Sequence, residues 1–205
     1  MAIQTYTAGQ ILTASSMTSL QQQAVMTFTD EAARDAALTA PTEGLFAYLT
    51  APTVPAAVGA STFLPTGIQT IYNGSAWVCV TGVGSIQTSS QTTTSTTYVD
   101  LASISSVTLS TGTRALVSFS SFVTAGATSA YSLVGVAVSG ATTIAASDPQ
   151  SCFIASPGGS YQGTPSRTMV ISGLTAGTNT FTLKFRVTAS TGTFENRGIF
   201  VQGIV

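Results

Sequence analysis

Along residues 179–189 the chain reads NTFTLKFRVTA, so that Phe181, Leu183, Phe185 and Val187 alternate with Thr180, Thr182, Lys184, Arg186 and Thr188. This period of two is that of a β-strand, with the large apolar side chains on one face and the polar ones on the other. A helix would scatter the same phenylalanines around its axis. The apolar face of such a strand needs a second layer to cover it. Segments near 98–109, 114–124, 131–138, 151–155, 167–172 and 194–204 also alternate or run apolar, separated by clusters of Gly, Ser, Asp and Pro. Seven or eight short strands at this spacing predict an antiparallel β-sandwich.

The outside of that sandwich is built with few charges. Six basic and seven acidic side chains serve 205 residues, a charged fraction of 6%, where about 25% is usual. Instead, 36 Thr and 26 Ser wet the surface without charge, and Thr also suits a pleated sheet. The chain has no histidine, which removes Ser-His-Asp and Cys-His nucleophilic sites, HExxH proteases and Cys2His2 zinc sites. A net charge of −1 argues against a phosphate-tracking nucleic-acid surface. The first basic residue is Arg34, so no charged n-region of a secretory signal is expected. Pro52, Pro55 and Pro65 interrupt the most apolar stretch, residues 51–65, and no membrane insertion is expected. Cys79 and Cys152 match no metal or redox motif and read as buried thiols or as a disulfide.

The amino-terminal part has a different grammar. Thr13 can cap a helix over 14–26, with Met17, Leu20 and Ala24 on one narrow stripe that fits either packing on its own domain or a seam between identical helices. In FTDEAARDAALTAPTEG, Thr29 is the expected N-cap of a second helix, Asp30 and Glu31 charge its first turn, and Pro41 stops it. Asp30, Glu31, Asp35 and Glu43 could be grouped as an acidic metal cluster, but helix-end electrostatics and solvation explain the first three without a ligand. GLFAYLT, GIQTIYN and SAWVCVT come next as three short strands, the last two joined by an Asn73-Gly74 pair that suits a type I′ turn. Asn73-Gly74-Ser75 also fits a glycosylation acceptor, but the turn accounts for it. Trp77 reads as the core plug of this meander. Residues 82–97, uncharged and Thr-rich, are a linker or the first strand of the sandwich domain. The expected fold is therefore mainly β, with a small α+β module over 1–84 and a sandwich over 85–205.

Chemistry has little material in the larger region. Asp100, Asp148 and Glu195 are its only carboxylates and are far apart in sequence, so no acid-base pair for glycoside cleavage stands out. No catalytic, cofactor-binding or metal-binding residue is assigned. Arg114, Arg167, Lys184, Arg186 and Arg197 are expected as solvated surface charge or as weak subunit-docking groups. Tyr161, among Gly158, Gly159 and Gly163, is a candidate sugar-stacking platform or a packed loop aromatic.

Specific phrases add to this reading. AGQILTAS at 8–15, AARDAAL at 32–38, PTEGLFAYL at 41–49 and IYNGSAWV at 71–78 resemble attachment modules of tailed-bacteriophage fibre and minor tail proteins. QTTTSTTYVDLAS at 91–103, VSGATTIAASD at 138–148, ISGLTAGTNTFTLKFRV at 171–187 and TGTFENRGIFV at 191–201 resemble a sandwich domain of the same virion proteins. Residues 50–67 depart from that pattern as a longer Pro/Ala/Gly-rich insertion. The resemblance implies a non-enzymatic virion protein assembled in the host cytoplasm, a homotrimer with a jelly-roll-like carboxy-terminal domain. Its first implied role is a tail fibre or spike subunit that contacts other virion proteins and a host glycan or protein receptor. A capsid or collar decoration protein is the alternative, and a glycan depolymerase a remote one.

Overall fold

The 179–189 alternation lies in β15 (Gly177–Val187), the middle strand of a five-stranded sheet. The computed structural model describes residues 9, 11, 13–17, 25–126 and 130–205. Phe181, Leu183, Phe185 and Val187 are buried, as the period of two requires. Eight strands build the sandwich: β7 (Val83–Gln87), β9 (Ser106–Thr111), β10 (Arg114–Ala125), β11 (Ala130–Gly140), β12 (Cys152–Ser156), β14 (Ser166–Ser172), β15 and β16 (Gly192–Ile204). They pair antiparallel in nested order, β7 with β16, β9 with β15, β10 with β14 and β11 with β12, like one long hairpin. Coiling that hairpin also brings β16 beside β10 and β15 beside β11, which is jelly-roll order. The protein is thus mainly β, an antiparallel sandwich.

Val107, Leu109, Val117, Phe119, Val134, Val136 and Val201, together with the β15 residues, fill one core between the sheets. Two shorter strands, β8 (Gln91–Thr93) and β13 (Tyr161–Gly163), extend the β16 and β10 edges. Of the expected 98–109 strand only 106–111 forms, while residue 99 makes an isolated bridge to Phe185. The Thr-rich 82–97 segment resolves as β7 and β8, and the expected boundary at 84 falls inside β7.

The amino-terminal sheet is β1 (Met26–Phe28), β2 (Phe46–Leu49), β5 (Ile68–Tyr72) and β6 (Trp77–Cys79), with β1 parallel to β2. Thr13 caps a helical turn at 14–17, its Oγ1 accepting from the Ser16 N–H at 3.1 Å; residues 18–24 of the expected first helix lie outside the described residues. That helix does not reach Met26, whose backbone pairs in β1 instead. The second helix, α1 (Glu31–Ala37), is capped by Asp30 and not Thr29. The Asp30 carboxylate accepts from Ala33 N–H at 2.8 Å, while the Thr29 carbonyl is already used by Ala51 N–H. The 73–76 turn also differs. Asn73 N–H donates to the Ala76 carbonyl, which makes Gly74-Ser75 the central pair, and only Gly74 has positive φ, as a type II′ turn needs. The Asn73 side chain accepts from the Ser75 and Ala76 N–H groups and so cannot serve as the left-handed residue expected of it.

The insertion closes the sandwich. Its strands β3 (Ala56–Val58) and β4 (Ser61–Phe63) add to β9 of one sheet and β7 of the other, covering an open edge of each. Glu31 of α1 fastens the approach to this hairpin, its carboxylate accepting from Thr53 N–H, Thr53 Oγ1 and Val54 N–H at 2.8–3.0 Å. Leu49, Ile68 and Cys79 join the main core, and Trp77 packs with Leu45 and Ala47 in a smaller one, under the Arg34 guanidinium 4.5 Å from its ring.

Candidate functional site

The two outer faces of the sandwich have opposite chemistry. On the β4-β7-β16-β10-β14 sheet, register places Phe63, Gly84, Phe200, Ser118 and Thr168 in one row across the strands. Ser61, Ile86, Gly198, Ser120 and Ser166 form the next row, and Gln202, Leu116 and Val170 continue on the other side. None of these side chains is charged; Arg114, beside Ile204 and Ser172, marks the border. Phe63, Phe200 and Val170 are about half exposed. Gly84 lies between the two rings, where a Cβ would sit tightly, 3.1 Å from Phe63 Cδ2, and in ordinary contact, 3.5 Å, with Phe200 Cδ2. A shallow cavity of about 250 Å³ lies between these phenylalanines, Ile86 and Ser120.

The outer face of the other sheet carries the ion pairs. Lys184 Nζ donates to both oxygens of Asp100, at 2.7 and 2.6 Å. Two positions along the strand, Arg186 Nε donates to Asp148 Oδ1 at 2.8 Å and its Nη2 to Oδ2. Tyr98 Oη donates to the same Oδ1, and its ring lies 5.6 Å from the guanidinium. The Arg186 pairing, aided by the Tyr98 hydrogen bond, holds Asp148 below the usual carboxylate range, while burial pushes the Tyr98 phenol up. Gly135 makes room for this: a Cβ would lie 2.9 Å from Tyr98 Cε1 and 3.2 Å from Ala146 Cβ.

The three carboxylates of the larger region therefore do not assemble an acid-base pair. Asp100 and Asp148 are each engaged by a cation on β15, and Glu195 lies on the opposite sheet in β16. No group of three or more His, Cys, Asp or Glu poised for a metal occurs among the described residues. Tyr161 is exposed on β13, at the end of the β10 edge. Cys79 and Cys152 are buried free thiols, and burial pushes both up to about 11.

Arg197 overturns the expectation of solvated charge, since it is 0% exposed. The cause is a β-bulge. Ser120 faces Gly198 and Phe122 faces Glu195, so Ser121 alone opposes Asn196 and Arg197. Asn196 takes a left-handed φ of 46°, and the extra residue turns Arg197 inward between the inward-facing Phe194 and Ile199. Its Nη1 donates to the Ser103 carbonyl at 2.8 Å and its Nη2 to the Ser89 carbonyl and Oγ at 3.1 Å. The guanidinium carbon lies 5.6 Å from the Phe185 ring, and Nε has no hydrogen-bond partner among the described residues. Burial lowers its pKa, yet an arginine stays protonated. The spacing of Phe194 and Ile199, odd where a regular strand needs an even number, is the sequence signal for this bulge.

No family model matches the chain, and no curated protein matches it. Among solved structures it is similar to the Eiger TNF of S. frugiperda at 11% identity and a TM-score of 0.42, over 60% of this chain and 92% of that one.

Proposed function

We propose that the chain is a non-enzymatic structural subunit of a tailed-bacteriophage virion, a homotrimeric tail fibre or spike protein. In this reading the amino-terminal region attaches to other virion proteins and the sandwich is presented to the host surface. The phrases that resemble such proteins motivate the assignment, and the apolar patch of Phe63, Phe200 and Val170 on the outer face of the β4-β7-β16-β10-β14 sheet, between Arg114 and Glu195, is the observation that supports it. Its Ser, Thr and Gln side chains are wetted by water, but the exposed surface of Phe63, Phe200 and Val170 is costly to leave there. Five strands about 4.8 Å apart and three rows about 6.8 Å apart give a footprint on the order of 500 Å². A standard interface takes about 800 Å² per partner. A ring uses two different patches of every chain, which brings each subunit nearer to a stable total than a twofold contact through this face alone.

The test is light scattering after size-exclusion chromatography at micromolar and nanomolar concentration. The expected mass is three times the 20.8 kDa of the chain at both, insensitive to salt because few ion pairs take part. Phe200→Lys should dissociate the trimer by burying an unpaired charge. A well-folded monomer at micromolar concentration refutes it. Binding to undecorated capsids in place of host cells would favour capsid or collar decoration. Sustained release of oligosaccharide from envelope polysaccharide, lost in Asp100→Asn, Asp148→Asn or Glu195→Gln, would favour a depolymerase.

A further inference from the structure

The charged face of the sandwich holds a pocket that the attachment reading does not specify. Register sets Phe153, Leu133 and Arg186 side by side across β12, β11 and β15, with Ala155 and Tyr131 in the next row. Leu133 is buried and forms the floor. Tyr131 and Phe153 rise beside it, 44% and 51% exposed, their rings edge to face at 70° with centroids 5.4 Å apart. Opposite them stand Arg186 and Asp148, with Ser151 and Thr188 completing a cavity of about 320 Å³.

Each wall is held from behind. Arg186 is fixed by Asp148 and by the Thr96 carbonyl, which its Nη1 reaches at 3.2 Å. Thr188 Oγ1 accepts from Tyr131 N–H at 2.8 Å, so its hydroxyl hydrogen is left to donate. Ser151 Oγ donates to the Asp148 carbonyl at 2.8 Å and also lies in hydrogen-bond reach of the Tyr98 hydroxyl. Asp148 retains acceptor capacity, since its side chain is 51% exposed. Two exposed aromatic rings on a folded domain waste apolar surface unless something covers them. The groups facing them are donors and acceptors fixed in place, as small-ligand sites require.

We infer that this pocket binds a neutral hexopyranose unit of a surface glycan, its axial C–H face on Tyr131 and Phe153 and its hydroxyls on Asp148, Arg186 and Thr188. A pyranose offers one apolar face and a rim of hydroxyls, which matches an aromatic wall set opposite an ion pair. The Arg186 charge is already compensated by Asp148, so an acidic sugar gains nothing from it and meets an exposed carboxylate. The inference rests on the host-attachment reading for its biological setting and stands on the pocket geometry for its chemistry.

Saturation-transfer NMR on the full chain tests it, with the methyl pyranosides of glucose, galactose, mannose and glucuronic acid as probes. Saturation should reach the axial protons of at least one neutral hexoside and be weaker for the glucuronoside. Affinity should fall about tenfold or more in Tyr131→Ala and Phe153→Ala, and be unchanged in Tyr161→Ala. Both rings are half exposed, and Phe153→Leu keeps apolar bulk while removing the flat face, so a folded variant is available. Absence of transfer to every neutral hexoside, or binding that survives Phe153→Leu and Tyr131→Ala, overturns the inference. Adhesion to envelope-polysaccharide surfaces, measured on the same proteins, separates the two readings. Adhesion that ignores both substitutions overturns the pocket and leaves host attachment standing. Hexoside binding without adhesion supports the pocket and removes host attachment through envelope polysaccharide.

Discussion

Replacing Arg197 distinguishes a structural clamp from a passenger charge. Its guanidinium spans from Ser89 to Ser103 and so closes the 89–103 excursion over the end of the sandwich. Arg197→Ala removes three hydrogen bonds and leaves the carbonyls of the half-buried Ser89 and Ser103 without that donor. Hydrogen bonds from a charged group contribute about 1.5–3 kcal/mol each, less where water can replace the donor. Relief from burying a cation without a carboxylate offsets part of the loss, and loss of the contact with Phe185 adds to it. The net expectation is a destabilisation of about 2–4 kcal/mol, or about 4–16 °C in Tm at fixed protein concentration for a domain of this size. Arg197→Met is the sharper probe, because it fills much of the space without charge and still cannot donate. Urea denaturation should place it below the wild type, and amide exchange should show faster opening within 89–103. If Arg197→Met is as stable as the wild type with 89–103 equally protected, Arg197 is no clamp and its burial is incidental.

Three further outcomes are expected from the same geometry. Burial raises the Glu31 pKa, but hydrogen bonds from Thr53 and Val54 outweigh it and leave the carboxyl below its ordinary value. The stability it contributes is therefore present above the unfolded pKa of about 4.3 and is lost as pH falls through the folded value; Glu31→Gln should cost about 1–2 kcal/mol at neutral pH, and a gap to wild type that does not narrow in acid melts would refute this. Cys79 and Cys152, both near 11, carry about 0.1% thiolate at pH 8, so a chromogenic disulfide should label neither in native protein and both in urea. Asn179, fully buried, donates to Thr111 Oγ1 at 2.8 Å and accepts from Thr142 N–H at 2.8 Å; Asn179→Ala should cost about 2–3 kcal/mol by thermal melt, and an unchanged melt would mean the hairpin ends hold without it.

The residues that alternate along 179–189 were enough to establish a strand with the inward set Phe181, Leu183, Phe185 and Val187 and an outward set that includes Lys184 and Arg186, and the spacing of the other strand-like segments was enough for the sandwich. That information is local, because the pleat reverses side-chain direction at every residue and needs no partner strand to do so. The presence of α1 and of the strands around Trp77 was legible from equally local signals, although α1 ends at Ala37, short of the expected stop at Pro41. Turn and cap details were less so: whether Thr29 or Asp30 caps α1 depends on a carbonyl taken by Ala51, a residue on another segment. The chain alone could not settle anything set by register between distant strands. The odd spacing from Phe194 to Ile199 marks a defect, but only β10 decides that the extra residue sends Arg197 into the core. The insertion over 50–67 has no periodic signature, and only the exposed edges at β7 and β9 give its strands β3 and β4 a role. The pocket of Tyr131, Phe153, Asp148 and Arg186 likewise exists because the β11-β12 and β11-β15 pairings bring three separate segments to one face. Side-chain direction is a property of the local backbone, whereas proximity across strands is fixed by pairing, which the chain acquires only when it folds.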